Sequence, residues 1–237
     1  MQSKVLIIFI GLLFYGSLGM AQNFNKDILP RYNRISVGLG PSFMYADNAG
    51  GVRNFTVKFR PSASVSYERE ISSFLELKGT VGYQMLESQT PTYYSDSALI
   101  NWNEAGQAFA MKGHAYYIDV MPVFHVFPYD THINRTTINI YAGIGIGVMG
   151  VNKEEVRLVL GEPNIQEKSM ALAYIPIRGG LSYRIGPHSD LSFEATLLTT
   201  FSDSIDGNEG YNRFNDLLFQ GQVVYKRYLS PFPFWSK

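Results

Sequence analysis

The sequence predicts an all-β protein, an eight-stranded antiparallel transmembrane β-barrel with long loops at one end and short turns at the other. Three observations predict it. Eight segments alternate apolar and polar residues with period two. The connections between them are alternately long and short, and an apolar N-terminal segment has the form of an export signal.

The export signal comes first along the chain. Lys4 precedes an apolar run from Val5 to Gly19, and Gly19-Met20-Ala21 places small residues where a signal peptidase cuts. A membrane-spanning helix needs about 20 apolar residues, so residues 1–21 are expected to be a cleaved signal and residues 22–33 a periplasmic lead-in. The barrel is expected over 34–229, with an aromatic tail over 230–237.

The first segment sets Ile35, Val37, Leu39, Phe43 and Tyr45 against Ser36, Gly38, Gly40 and Ser42. The second, from Val57 to Glu68, is apolar at odd positions and polar at even ones throughout. The third sets Leu75, Leu77, Val81, Tyr83 and Met85 against Glu76, Lys78, Thr80 and Gln84; the fourth, about 110–127, turns Tyr116, Ile118, Val120 and Phe124 outward and Asp119 inward. In the fifth, Ile138, Ile140, Ala142, Ile144, Ile146 and Val148 alternate with Asn139, Tyr141 and three glycines. The sixth sets Ile175, Ile177, Leu181 and Tyr183 against Arg178, Ser182 and Arg184. The seventh runs over 191–201 and the eighth over 217–228, with Glu194, Gln220, Gln222 and Lys226 on their polar faces.

A soluble sandwich also alternates, so the connections decide. They are long near 46–56, 87–109, 150–169 and 202–214, and short near 69–73, 128–135 and 186–189. An outer-membrane barrel has this asymmetry, with long loops outside and tight turns in the periplasm. Aromatic residues are expected to form two girdles: Tyr67, Phe74, Phe124, Tyr183, Tyr225 and Tyr228 near the turns, and Phe43, Tyr45, Phe59, Tyr83 and Phe201 near the loops.

The polar faces then place Lys58, Arg60, Lys78, Arg178, Arg184 and Lys226 inside with Glu68, Glu76, Asp119 and Glu194. An eight-stranded barrel is only wide enough for its own side chains, and buried charges must be paired. The expected interior is a closed network in which Glu76, Asp119 and Glu194 accept from Arg178, Lys78 and Arg60. A narrow path favouring small anions is the competing reading, from the excess of inward bases.

Other chemistry is excluded or weakened by composition. Twenty basic and twenty acidic side chains cancel, which leaves no positive field for nucleic acid. The absence of cysteine removes disulfides, thiol nucleophiles and thiolate metal sites. An outer-leaflet lipid-modifying enzyme is the remaining alternative: of four histidines, His125, His132 and His188 fall at the periplasmic end, and only His114 is placed near the outer rim, without an identifiable serine and acid to form a triad. Ser202-Asp203-Ser204-Ile205-Asp206-Gly207-Asn208-Glu209 reads as a solvated acidic turn, its spacing unlike a calcium loop. Gly143, Gly145, Gly147 and Gly150 alternate on a strand and precede no helix, so they hold no nucleotide. No cofactor, metal or catalytic residue is expected. In the tail, Phe232, Phe234 and Trp235 are set among prolines that prevent further sheet pairing, as an interfacial anchor or a dock for a periplasmic protein or lipoprotein.

Arg60-Pro61-Ser62-Ala63, Tyr141-Ala142-Gly143-Ile144-Gly145, Ile175-Pro176-Ile177-Arg178-Gly179-Gly180-Leu181 and Asp203-Ser204-Ile205-Asp206 together resemble the small PorG-like barrels of Bacteroidota, over nearly the whole mature chain. The first loop lacks that family's Gly-Asp, Ser204 stands where an aromatic is expected, and the tail is an addition. One member of the family is associated with type IX secretion, as an outer-membrane protein contacting a periplasmic ring. The resemblance implies a non-enzymatic, monomeric outer-membrane barrel, surrounded by outer-membrane lipid, that serves as an anchor or accessory subunit of an envelope assembly.

Overall fold

The computed structural model describes residues 29–49, 57–88, 110–159, 162–208 and 215–230, with isolated positions between 100 and 108. The expected signal, most of the lead-in, and the tail residues Phe232, Phe234 and Trp235 lie outside the described residues.

Among the described residues nine strands form one antiparallel sheet: β1 (Asn33–Tyr45), β2 (Arg60–Ser72), β3 (Leu75–Glu87), β4 (Ala110–His125), β5 (Ile138–Ile144), β6 (Ile146–Val159), β7 (Glu162–Gly186), β8 (Ser189–Thr200) and β9 (Leu217–Tyr228). The sheet closes on itself, since β1 pairs with both β2 and β9 while β3 pairs with β4. Closure removes both sheet edges, which is what lets strands cross a bilayer with every backbone group satisfied.

β5 and β6 are two halves of one barrel strand, so the barrel has the expected eight. They meet β4 in a single unshifted register, with Val123 opposite Gly143 and Val120 opposite Ile146. They meet β7 likewise, with Ile144 opposite Ile177 and Gly147 opposite Tyr174. The break falls at Gly145, opposite Pro176 on β7 and one position away from the residue opposite Pro122 on β4. Proline has no N–H to give the ladder, yet Gly145 still donates to the Pro176 carbonyl at 3.0 Å.

Alternation sorts the faces as the period-two pattern requires. Ile35, Val37, Leu39, Val81, Ile118, Ile146, Val148 and Phe193 are exposed on the outer wall, while Ser36, Lys78, Asp119, Arg178 and Glu194 are buried. Exposed aliphatics in a continuous band are the reverse of a soluble protein and fit a lipid-facing wall. Tyr67, Phe74, Phe124, Tyr183 and Tyr225 are exposed toward the turn end, and Tyr45, Phe59 and Phe201 toward the loop end. Tyr228 departs from the expected girdle: it is 1% exposed and points inward. It shares its parity along β9 with inward Lys226, so the same alternation that buries the lysine buries the tyrosine.

A second departure concerns residues 150–169, expected as a long loop. They continue as a regular hairpin, β6 against β7, in register from Gly147↔Tyr174 out to Val159↔Glu162. Beyond Val148 the outward residues Asn152 and Glu154 are polar. This part of the hairpin therefore lies past the apolar band, where backbone pairing persists after the hydrophobic signature has stopped.

Inside, three tyrosines lie over glycines directly opposite on the next strand: Tyr117 over Gly82, Tyr141 over Gly180 and Tyr174 over Gly147. The missing side chain makes room for a ring, and the ring covers the backbone that glycine exposes. A methyl at Gly180 would sit 2.5 Å from the Tyr141 ring and hydroxyl and 2.9 Å from the Phe193 carbonyl. Gly180→Ala is therefore expected to cost about 1–3 kcal/mol through overpacking, read as a lower urea midpoint in lipid vesicles.

Candidate functional site

The barrel interior has two tiers, and its composition changes along the axis. Toward the turn end, β1, β2, β3, β4, β7, β8 and β9 bring charged side chains to a common centre. Glu194 accepts from Lys78 Nζ at 2.7 and 3.0 Å and from the Tyr141 hydroxyl at 2.6 Å, with Lys226 Nζ at 3.4 Å and Arg178 Nε at 3.7 Å. Glu68 lies 3.2 Å from Lys78 and 3.6 Å from Lys226. Arg178 reaches Asp119 at 3.6 Å and donates to Thr80 at 2.8 Å and Thr196 at 3.0 Å, while the Tyr174 hydroxyl donates to Asp119 at 2.9 Å. All of these groups are buried, which is tolerable because nearly every charge is shared by several partners.

Arg34 completes this tier, although the alternating pattern of the first segment does not single it out. Its Nε donates to Glu68 at 3.1 Å, one terminal nitrogen to Glu70 at 2.7 Å and to the Tyr228 hydroxyl at 3.0 Å, and the other to Glu76. The guanidinium also faces the rings of Tyr129 at 4.4 Å and Tyr228 at 5.1 Å. A signal for it exists in the chain: Arg34 has the parity of Ser36, and Glu70 that of Glu68.

The expected partners are brought together in part. Lys78, Asp119, Arg178, Glu194 and Lys226 converge, but Glu76 pairs with Arg34 and His125. Arg60 does not join them. It and Lys58 bind Glu87 at the loop rim, where both bases are partly exposed. The reason is distance along the strand. Arg60 opens β2 at the loop end and Glu68 sits near the turn end, roughly 26 Å away at about 3.3 Å per residue, farther than side chains can reach. Arg184 has inward parity and is half-buried near the turns. His125, expected among the periplasmic residues, points inward: its Nε2 is 3.0 Å from Glu76 and its ring stacks on Tyr129 at 4.6 Å.

Closer to the loops the interior is apolar. Met44, Leu86, Met111, Ala115, Tyr117, Met149, Val151, Tyr174, Leu198 and Leu218 pack in one cluster with Ala49 and Ile205 from the connecting loops. The segment around Ile205, expected as a solvated turn, is folded into the barrel mouth instead. Asn48 donates from its backbone to Asp206 at 3.2 Å and from its side chain to the Asp206 carbonyl at 2.8 Å. Ile205 N–H donates to Asp216 at 2.8 Å, Ala108 N–H to Asn208 at 2.9 Å, Arg157 to the Gly207 carbonyl at 3.1 Å and Lys153 to the Ser204 carbonyl. The reason is Ile205: one apolar residue at the crest of a polar loop can be buried only by turning the loop inward.

Electrostatics in this cap follow its burial. Desolvation raises the Asp206 carboxyl to about 7, with the Asp47 charge adding to the rise against hydrogen bonds from Asn208 and Asn48. Desolvation and the neighbouring Asp206 raise Asp216 to about 8. Beside them, Lys153 at 2.6 Å, Arg157 at 2.8 Å and Lys168 at 3.0 Å converge on Glu155.

His114 faces outward, its Nδ1 2.7 Å from the Tyr83 hydroxyl and its ring stacked on Tyr83 at 5.8 Å. It thus sits on the outer wall beside Tyr83, in a pocket that Glu87, Glu154, Glu167 and Ser169 also line.

No protein-family description matches this chain, and no curated protein matches its sequence. Solved structures resemble it in fold. Ail, the attachment invasion locus protein of Yersinia pestis, solved with the heparin analogue sucrose octasulfate, is 11% identical with a TM-score of 0.48, over 85% of this chain and 100% of Ail. Neisserial surface protein A is 12% identical with a TM-score of 0.49, over 83% and 97%. The outer membrane enzyme PagL is 15% identical with a TM-score of 0.41, over 83% and 99%. By its own closed ring of antiparallel strands, lipid-facing wall and filled interior, the chain is an eight-stranded transmembrane β-barrel.

Proposed function

We propose that this protein is a non-enzymatic barrel of the Gram-negative outer membrane that acts through its surfaces, as an anchor or accessory subunit of an envelope assembly. The observation that carries this reading is the filled interior: an ionic tier, an apolar tier and an inward-folded loop cap occupy the barrel in series. A barrel of this size, packed in this way, offers partners its rims, its outer wall and its flanking segments. The same filling counts against the narrow anion-favouring path. His114 shares an outer-wall pocket with Glu154, Glu167 and Ser169, but its Nδ1 is engaged by the Tyr83 hydroxyl rather than by the serine or carboxylate that a catalytic triad requires. In this reading the chain is exported through a cleaved signal over residues 1–21, and its barrel is a monomer in outer-membrane lipid. The resemblance to PorG-like barrels makes a type IX secretion apparatus the assembly of first interest, with Phe232, Phe234 and Trp235 the docking residues for a periplasmic protein or lipoprotein.

The test is affinity capture of the tagged protein from native membranes in mild detergent, with mass spectrometry of stoichiometric partners. Deleting residues 230–237 is expected to release the partner while the barrel still inserts and keeps its heat-modifiable migration. Retention of every partner after the deletion would remove the tail from the docking surface, and isolation of a lone barrel would remove the assembly role.

A further inference from the structure

At the turn end of the interior, three buried acceptor atoms have no donor among the described residues. Glu70 Oε2, Glu76 Oε1 and His125 Nδ1 lack a hydrogen-bond partner, although Glu70, Glu76 and His125 are only 7%, 1% and 5% exposed. The three side chains can each bring one ligand atom within 4.8 Å of the others. His125 Nε2 lies 3.0 Å from a Glu76 oxygen. A neutral imidazole that donates through Nε2 carries a bare lone pair on Nδ1. All three orphan atoms therefore ask for positive charge or for a donor. One imidazole and two carboxylates are also the donor set that suits first-row divalent metals.

We propose that Glu70, Glu76 and His125 form a binding site for a single divalent transition-metal cation, in competition with Arg34. The guanidinium now bridges the two carboxylates, donating to Glu70 at 2.7 Å and to Glu76. It has alternative anchors in Glu68 at 3.1 Å, the Tyr228 hydroxyl at 3.0 Å and the Tyr129 ring, so it can withdraw without losing every partner. Glu68 in turn keeps Lys78 at 3.2 Å and Lys226 at 3.6 Å. A tetrahedral zinc ion with bonds of about 2.0–2.2 Å holds its ligand atoms roughly 3.4 Å apart, so the triad draws inward as the ion replaces the guanidinium. Tyr129, stacked on His125 at 4.6 Å, belongs to the turn between β4 and β5, so the triad lies directly beside that turn.

The experiment is calorimetric titration of zinc chloride into chelator-stripped, full-length protein refolded in detergent micelles, with metal content checked by mass spectrometry. One zinc per chain is expected. His125→Ala and Glu70→Gln are each expected to weaken binding by at least about tenfold, and Arg34→Gln, which removes the competing cation, to strengthen it. A His132→Ala/His188→Ala variant controls for the stacked histidine pair of the turns, whose rings are 4.9 Å apart, and is expected to bind like the wild type. No stoichiometric zinc on the wild-type barrel overturns the proposal without any variant having to fold. So does undiminished affinity in a folded Glu70→Gln barrel, or loss of binding in the His132/His188 control alone. Unchanged affinity in Arg34→Gln overturns the competition.

Discussion

Replacing Glu194 with alanine is expected to destabilise the barrel by about 3–5 kcal/mol, the cost of removing one partner from a buried charge cluster. Glu194 is the carboxylate on which Lys78, Lys226 and Arg178 converge and to which Tyr141 donates. Without it, Lys78 and Lys226, each 1% exposed, have Glu68 as their remaining carboxylate. Glu194→Gln preserves an acceptor for the Tyr141 hydroxyl and is expected to fall between alanine and the wild type. Glu87→Ala supplies the contrast. Glu87 holds Lys58 and Arg60 at the partly exposed rim, where screening limits an ion pair to about 0–1 kcal/mol. Urea unfolding of the three variants in lipid vesicles checks the order. Equal losses for Glu194→Ala and Glu87→Ala would mean that the interior is wet and the ionic tier contributes as little as a surface pair.

The loop cap is expected to loosen as the pH rises through about 7 to 8. Asp206 and Asp216 are raised to about 7 and about 8 from an ordinary 3.8. Between these limits the folded cap holds protons that an unfolded loop has already released, so the contribution to stability is complete below about pH 4 and is lost as pH climbs through the folded values. A tenfold tighter hold on a proton corresponds to about 1.4 kcal/mol. The charges that face the pair are Asp47, Asp203 and Lys153; the lysine opposes the carboxylates but already serves Glu155 and the Ser204 carbonyl. Hydrogen exchange at Ile205, whose N–H donates to Asp216, reads the effect directly. After correction for the intrinsic rate, protection is expected to fall as the pH is raised from mildly acidic to mildly alkaline across those two values. Asp216→Asn keeps an acceptor oxygen and is expected to flatten that dependence. Constant protection in the wild type would mean that the two carboxyls are ionised throughout and held by the cap's cations.

The ionic tier and the loop cap are unequally legible in the sequence. The tier is mostly a matter of parity. Lys78, Arg178, Glu194 and Lys226 stand at alternate positions among polar neighbours, and the strand period alone turns them inward. Arg34, Glu70 and Tyr228 obey the same period but stand at strand ends, where the apolar partners that make alternation visible run out. The cap follows no periodic rule. Its burial depends on Ile205, Ala49 and Ala108 arriving from three separate connections, and no local pattern encodes such a meeting.

Alternation along the chain is enough to specify the wall: which residues face lipid, which face inward, how many times the chain crosses, and which connections are short. Those properties are local, because a side chain's face in a strand depends only on whether its position is odd or even. Which side chains meet is settled by the assembled barrel alone. Partners such as Lys78 and Glu194, or Arg34 and Glu76, lie on strands that are not neighbours. Their encounter depends on ring closure and on height along the axis, and both are set by the register of all the strands together.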